Sequence, residues 1–292
     1  MKNEEMINNR YLFSKWISYI CEPPFLAIPT FIVLNLFLNM DDFPIIESIC
    51  LLFGNIFPIL TVLIWGKIKG VDRDYTIKET RNYPFLIATF LYFLATLILW
   101  LFSANPLTMA VMFCYGSNTL IVFFINLKWK ISVHAMGITG PVTALMFINP
   151  WFFILGLLGP LVMWSRITLK KHTLGQVLAG LTLGYLITAI QLYYLINLMH
   201  FHLNVDLYLI LLIITGLSLP PLVLSLKSYL NDKNDEGHTQ RIFYFAVFGS
   251  FIMFLNFSSF IPLMALAITG IISIALGYFG GLDFPWLNHI KK

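Results

Sequence analysis

The feature that most constrains this chain is a succession of long apolar runs separated by short polar stretches that are cationic at every second junction. Runs near 18–40, 46–66, 84–104, 106–127, 135–149, 151–168, 173–199, 205–226, 242–258 and 260–280 reach or approach the roughly 20 residues that cross a bilayer as a helix. The fifth and ninth are short, so the expectation is eight to ten spans. Only 11% of the 292 residues are charged while 59% are hydrophobic, against about 25% charged in a soluble domain. Most of the surface therefore faces lipid, and the expected fold class is an all-α, polytopic helix bundle embedded in a membrane.

The cations orient that bundle. With a cytoplasmic N-terminus, the inner segments are 1–17, 67–83, 128–134, 166–172, 227–241 and 281–292, and all 18 Lys and Arg residues fall within them. The opposite loops hold Asp41, Asp42 and Asp206 instead. This asymmetry is the positive-inside pattern. The first residues are polar, with no short apolar stretch leading to a small-residue cleavage site, so the first span is expected to be retained. Cys21, Cys50 and Cys114 lie in or beside apolar runs without metal-ligand spacing and read as small buried hydrophobes. Gly175, Ala179, Gly180 and Gly184 recur at helical spacing on the seventh run, which allows close helix contact.

Three polar islands gather on the predicted inner face. One contains Asp72, Arg73, Asp74, Lys78, Glu79, Arg81 and Pro84; a second runs from Lys128 through Ser132 to His134; the third is Ser165-Arg166-Ile167-Thr168-Leu169-Lys170-Lys171-His172, followed by Gln176. Arg166 and Arg81 offer planar, permanently charged forks suited to phosphate oxygens. Ser132 adds a donor, and helix starts near 134 and 172 add backbone N–H groups. Two histidines permit one to attack phosphorus while the other protonates the leaving oxygen. Together the residues read as a site for phosphoryl transfer that uses no metal or other cofactor.

These residues resemble the type 2 phosphatidic acid phosphatases (PAP2), whose third motif is Ser-Arg, five residues, His, then Asp four residues on. Ser165-Arg166 is followed by five residues and His172, and Gln176-Val177-Leu178-Ala179-Gly180 is similar to the helix that continues the motif. Ser132 and His134 match the second motif, Pro-Ser-Gly-His, in two of its four positions. Arg81 and Pro84 stand for the end of the first motif, with Arg73 as its first cation at one residue longer spacing.

The resemblance covers roughly 46–198 and implies a catalytic core there. Residues 1–45 would supply an N-terminal segment with an extra span, and 199–292 further C-terminal spans. It implies His172 as the nucleophile that forms a phosphohistidine and His134 as the acid for the departing alcohol. Arg166, Arg81, Ser132, Ser165 and Arg73 would hold or frame the phosphoryl oxygens. Gln176 takes the place of the orienting aspartate: its carbonyl can fix an imidazole tautomer but supplies no negative charge. Glu22, one turn inside the first run, could supply the missing carboxylate if the fold brings it to His172.

The implied partner is a lipid carrying a phosphate or diphosphate, with no nucleic acid, at an integral site expected in the plasma membrane. Two rival readings follow from other features. Gln176 and the irregular first motif fit an inactive lipid-binding or transport protein on the same scaffold. The acidic pairs Asp72/Asp74 and Asp232/Asp235, with Glu236, resemble the diphosphate-binding loops of UbiA-type prenyltransferases, which would use Mg²⁺.

Overall fold

The computed structural model describes residues 2–71 and 78–202 and a few positions between 205 and 214; of the side chains of residues 2–8 and 78 nothing is said. The chain divides into two compact units, Met1–Ser225 and Leu226–Lys292, and every described residue belongs to the first. Arg73, the Asp72/Asp74 pair, the acidic residues at 232–236, most of the eighth expected span and all of the last two lie outside the described residues.

All regular structure among the described residues is helical: α1 Lys2–Ile20, α2 Pro23–Leu38, α3 Phe43–Leu51, α4 Phe57–Lys69, α5 Asn82–Leu101, α6 Pro106–Lys128, α7 Val133–Met146, α8 Leu158–Thr168 and α9 Leu174–Leu198. A π-turn over Leu52–Ile56 fuses α3 and α4 into one 27-residue span, and a 3₁₀ stretch over Pro150–Leu157 extends α8 to 19 residues. With α5, α6 and α9 these make five helices long and apolar enough to cross a membrane, or six if the bent pair α1–α2 is one span. The described part of the chain is thus all-helical, with the long apolar helices of an integral membrane protein.

Local chemistry sets the boundaries. The Pro23-Pro24 pair opens α2, where the missing N–H groups cost no helical bond. It also bends the chain by 46° between α1 and α2. Gly70 ends α4 in the left-handed conformation at φ 60°, returning its N–H to the Gly66 carbonyl. Asn105 caps α6, its side chain accepting from the Leu107 amide at 2.9 Å.

Burial separates an inner pair of helices from an outer ring. In its most apolar stretch 72% of α9 is buried, against 28–39% in the other four spans. The 14 residues of α7 rise only about 21 Å, short of a 30 Å hydrocarbon core, yet all but three are buried. Helix α7 is therefore an internal strut packed on α9. Two glycines make the contact possible: a Cβ on Gly180 would collide with the Ser132 carbonyl oxygen, and one on Gly184 with Thr139 Oγ1. Outer helices direct Phe90, Leu97, Trp100, Leu60, Leu63 and Ile64 outward, as lipid contact requires.

The N-terminal stretch is no separate appendage. Phe13 packs on Trp164 with centroids 5.9 Å apart, and Arg10 lies over the same indole. Residues read from sequence as a polar lead segment form a helix along the end of α8.

Candidate active site

The inner helices begin at one end of the bundle, and they begin with the histidines. Ser132 caps α7, its Oγ accepting from the Ala135 amide at 3.4 Å, and His134 follows in the first turn. The Ser132 amide donates to the Gln176 carbonyl at 3.1 Å, which pins the start of α7 to the start of α9. His172 sits in the connection just before α9, whose first turn is locked by a capping box. The Thr173 side chain accepts from the Gln176 amide at 3.4 Å and Gln176 Oε1 from the Thr173 amide at 3.3 Å.

Gln176 Oε1 also faces His172 Nδ1 at 3.0 Å. An amide oxygen only accepts, and a flipped amide would turn its NH₂ against the Thr173 N–H. Nδ1 therefore carries the proton and Nε2 keeps its lone pair. One side chain thus serves the cap and the tautomer together.

His172 is 7% exposed and in a strongly positive surrounding. Burial and the charges of Arg81, Arg166 and Lys130 together hold its pKa far below the usual imidazole range, at about 2, and the bond from Gln176 opposes them only in part. The ring is neutral at any physiological pH.

Arg81 ends the 3₁₀ turn Lys78–Arg81 and precedes α5. That turn is fixed by Trp65, whose indole N–H donates to the Thr80 carbonyl at 3.0 Å. The start of α5 is tied to the end of α6 through an Asn126–Asn82 amide bond of 3.2 Å. Arg166, in the last turn of α8, is wholly buried and donates from Nη1 to Ser18 Oγ at 2.6 Å. Lys130 donates to the Lys171 carbonyl at 3.2 Å.

Arg81, His134 and His172 line one cavity of about 230 Å³, far above the roughly 15 Å³ that seats a single water. From Arg81 it descends past Pro84, Phe85 and Ala88 to Tyr92 on α5, and on α6 and α7 it reaches Val111 and Ala144. Each of these paths is about 16 Å at 1.5 Å per residue. The charged and imidazole side chains stand at its mouth, and the lining below is mostly apolar, with Asn118, Thr119 and Thr188 among it. Glu22, Pro23 and Pro24 form part of the mouth.

Of the residues expected at a phosphate, Arg81, His134 and His172 meet at this cavity, and Gln176 supports His172 from behind. Arg166 is not in the wall but contributes to the field at His172. The two serines are fully buried outside the lining. Ser132 is the helix cap described above, and Ser165 donates to the Ser14 carbonyl at 2.6 Å, tying α8 to α1. Sequence reasoning did not identify Lys130, Ser14 or Ser18 as contributors. For Ser14 and Ser18 there was no local signal, because their partners lie 151 and 148 residues away. The capping box was legible in Thr173-x-x-Gln176.

No protein-family profile, no curated protein and no solved structure matches this chain.

Proposed function

We propose that this chain is a membrane lipid phosphatase of the PAP2 type, hydrolysing a phosphate or diphosphate monoester on an apolar tail through a phosphohistidine. The observation that carries the reading is the meeting of Arg81, His134 and a neutral His172 at the mouth of one apolar cavity. In the first step the Nε2 lone pair of His172 forms a bond to phosphorus. The P–O bond to the lipid alcohol breaks, its electron pair stays on the leaving oxygen, and His134 donates the proton that oxygen needs. In the second step a water oxygen attacks phosphorus, the P–N pair returns to Nε2, and His134 takes a proton from the water.

The cations explain why such a site would hold an anion. A phosphoryl group brings negative charge to a place where the charges of Arg81, Arg166 and Lys130 converge on His172, so binding offsets that field as well as forming charge-assisted bonds. The tail has somewhere to go, because Pro58, Ile59, Val62 and Leu63 of α4 flank the cavity on the outer side of the bundle. By the charge asymmetry the mouth faces the cytoplasm.

The test is phosphate release from phosphatidate and from a polyprenyl diphosphate by purified protein in lipid vesicles. Release is expected to persist in chelator and to fall more than about 10³-fold in His172→Ala, as loss of a nucleophile does elsewhere. Binding of either lipid without turnover would overturn the enzymatic reading in favour of an inactive lipid-binding protein.

A further inference from the structure

Glu22 is unusual in its position. It occupies the capping position of α2, yet its side chain makes no capping bond to that helix, and it is half-buried where the α1–α2 bend enters the bundle. Among the described residues that line the cavity it is the one carboxylate.

Its neighbours on either side fix where it sits in the fold. One turn before it, Ser18 Oγ accepts from Arg166. Immediately after it, Pro23 packs so tightly on Gly137 that a Cβ there would lie 2.6 Å from the proline ring. Gly137 is three residues beyond His134, on the same face of α7. The start of α2 is therefore laid across the very turn that carries His134, and Gly137 is the small residue that admits it.

From this geometry we propose that Glu22 is the positioning residue for His134, supplying the negative charge that keeps this histidine a competent proton donor. The need is electrostatic. Arg81, Arg166 and Lys130 all act at this end of the bundle, and at His172 their charges add to the larger effect of burial in lowering the affinity for a second proton. A general acid must hold one at working pH. An opposite charge within about 4–6 Å raises the proton affinity of an imidazole by roughly 1–3 pK units, enough to offset neighbouring cations. The two histidines are thereby driven apart, one kept neutral for attack and supported by an uncharged amide, the other kept protonated for departure and supported by a carboxylate. The carboxylate that the third motif lacks at Gln176 is thus present on another helix, serving the acid and not the nucleophile.

This inference rests on the phosphatase reading, and the experiment separates the two. Wild type, Glu22→Gln and Glu22→Asp are compared on an alkyl phosphate, whose leaving alkoxide needs a proton, and on p-nitrophenyl phosphate, whose leaving phenolate does not. Glu22→Gln is expected to lose about 10²-fold in kcat on the alkyl ester and little on the aryl ester. The alkaline limb of its pH profile should move down by at least one unit, and Glu22→Asp should restore both in part. Equal losses on both esters, with an unmoved pH profile, would mean a structural role and overturn the proposal while leaving the phosphatase intact. Absence of hydrolysis of either ester by wild type would defeat the phosphatase reading, and this inference with it.

Discussion

Two buried polar clusters lie at opposite ends of the bundle, and they solve the same problem in different ways. At the end away from the histidines, Asn35 donates to Glu47 Oε2 at 2.7 Å while its Oδ1 accepts from Asn39 and Thr108 at 3.0 Å each. Asn39 reaches Thr108 Oγ1 at 3.0 Å and accepts from the Asn105 amide at 2.7 Å. This network links α2, α3 and α6 with amides and hydroxyls and contains one ionisable side chain with no cation among its bonded partners. Its amides and hydroxyls answer one another, while Glu47 Oε1 is buried without a hydrogen-bond partner. At the histidine end, cations gather at a cavity, and the one carboxylate among its described lining residues, Glu22, comes from the α1–α2 bend and not from the elements that carry the histidines. A network knit by neutral amides and hydroxyls is a clamp, whereas cations gathered around open space are suited to a ligand of the opposite sign.

That contrast can be broken by mutation. The largest expected effect is at the open end: Arg81→Ala should lower kcat/KM by about 10²-fold, the scale of losing one preorganised donor to developing charge. Glu47→Ala should do the opposite. It strands the Asn35 amide in the core and should cost about 1–3 kcal/mol of stability, read as a lowered thermal midpoint, with kcat/KM of the folded protein unchanged. If Glu47→Ala abolished turnover and Arg81→Ala changed only the midpoint, the assignment of clamp and site would be reversed.

A substitution between the two ends should affect both readouts. Gly184→Ala would force its methyl into Thr139 and the Met136 carbonyl, parting α7 from α9 at a cost of about 1–3 kcal/mol. Because these helices carry His134 and His172 at their starts, activity should fall with stability, unlike in Glu47→Ala.

The smallest effect is in pH. His172 is neutral when folded down to about pH 2, whereas in an unfolded chain an imidazole takes a proton below about pH 6.5. The unfolded state therefore binds more protons as pH falls, so stability declines below pH 6.5 by up to about 1.4 kcal/mol per pH unit for this one group. Above pH 6.5 it contributes no slope. Denaturant midpoints measured between pH 7 and pH 5 should show the decline, and His172→Gln should remove it. An unchanged slope in that variant would mean that His172 is not held neutral.

How much of this was legible follows from the range of each interaction. The helices through residue 198 sit where the apolar runs predict them, since backbone satisfaction in lipid is a local demand, except that the first run is broken between Ile20 and Pro23 and the fifth, α7, is too short to cross and lies inside the bundle. The spacing from Ser165 to His172 placed a histidine at the start of a helix, and Ser132 to His134 did the same, so both rings were readable as helix-start residues. Their meeting was not. It depends on Gly180 and Gly184 letting α7 lie against α9, and the pattern of small residues showed only that some close contact was allowed. The serines illustrate the reverse error: Ser132 and Ser165 looked like phosphate donors by motif, and the fold employs them as a helix cap and an interhelical tie.

By itself, the sequence determined the membrane class, the helical state of the spans and the gathering of cations at one end, because hydrophobicity, length and charge act within a run or across the nearest interface. Only the tertiary structure decided which of those cations surround His172, that Gln176 serves the cap and the imidazole at once, and that Glu22 reaches the cavity from a helix outside the motif-bearing stretch. Those outcomes depend on which helix faces touch, and contacts separated by about 150 residues leave no periodicity for a local reading to detect.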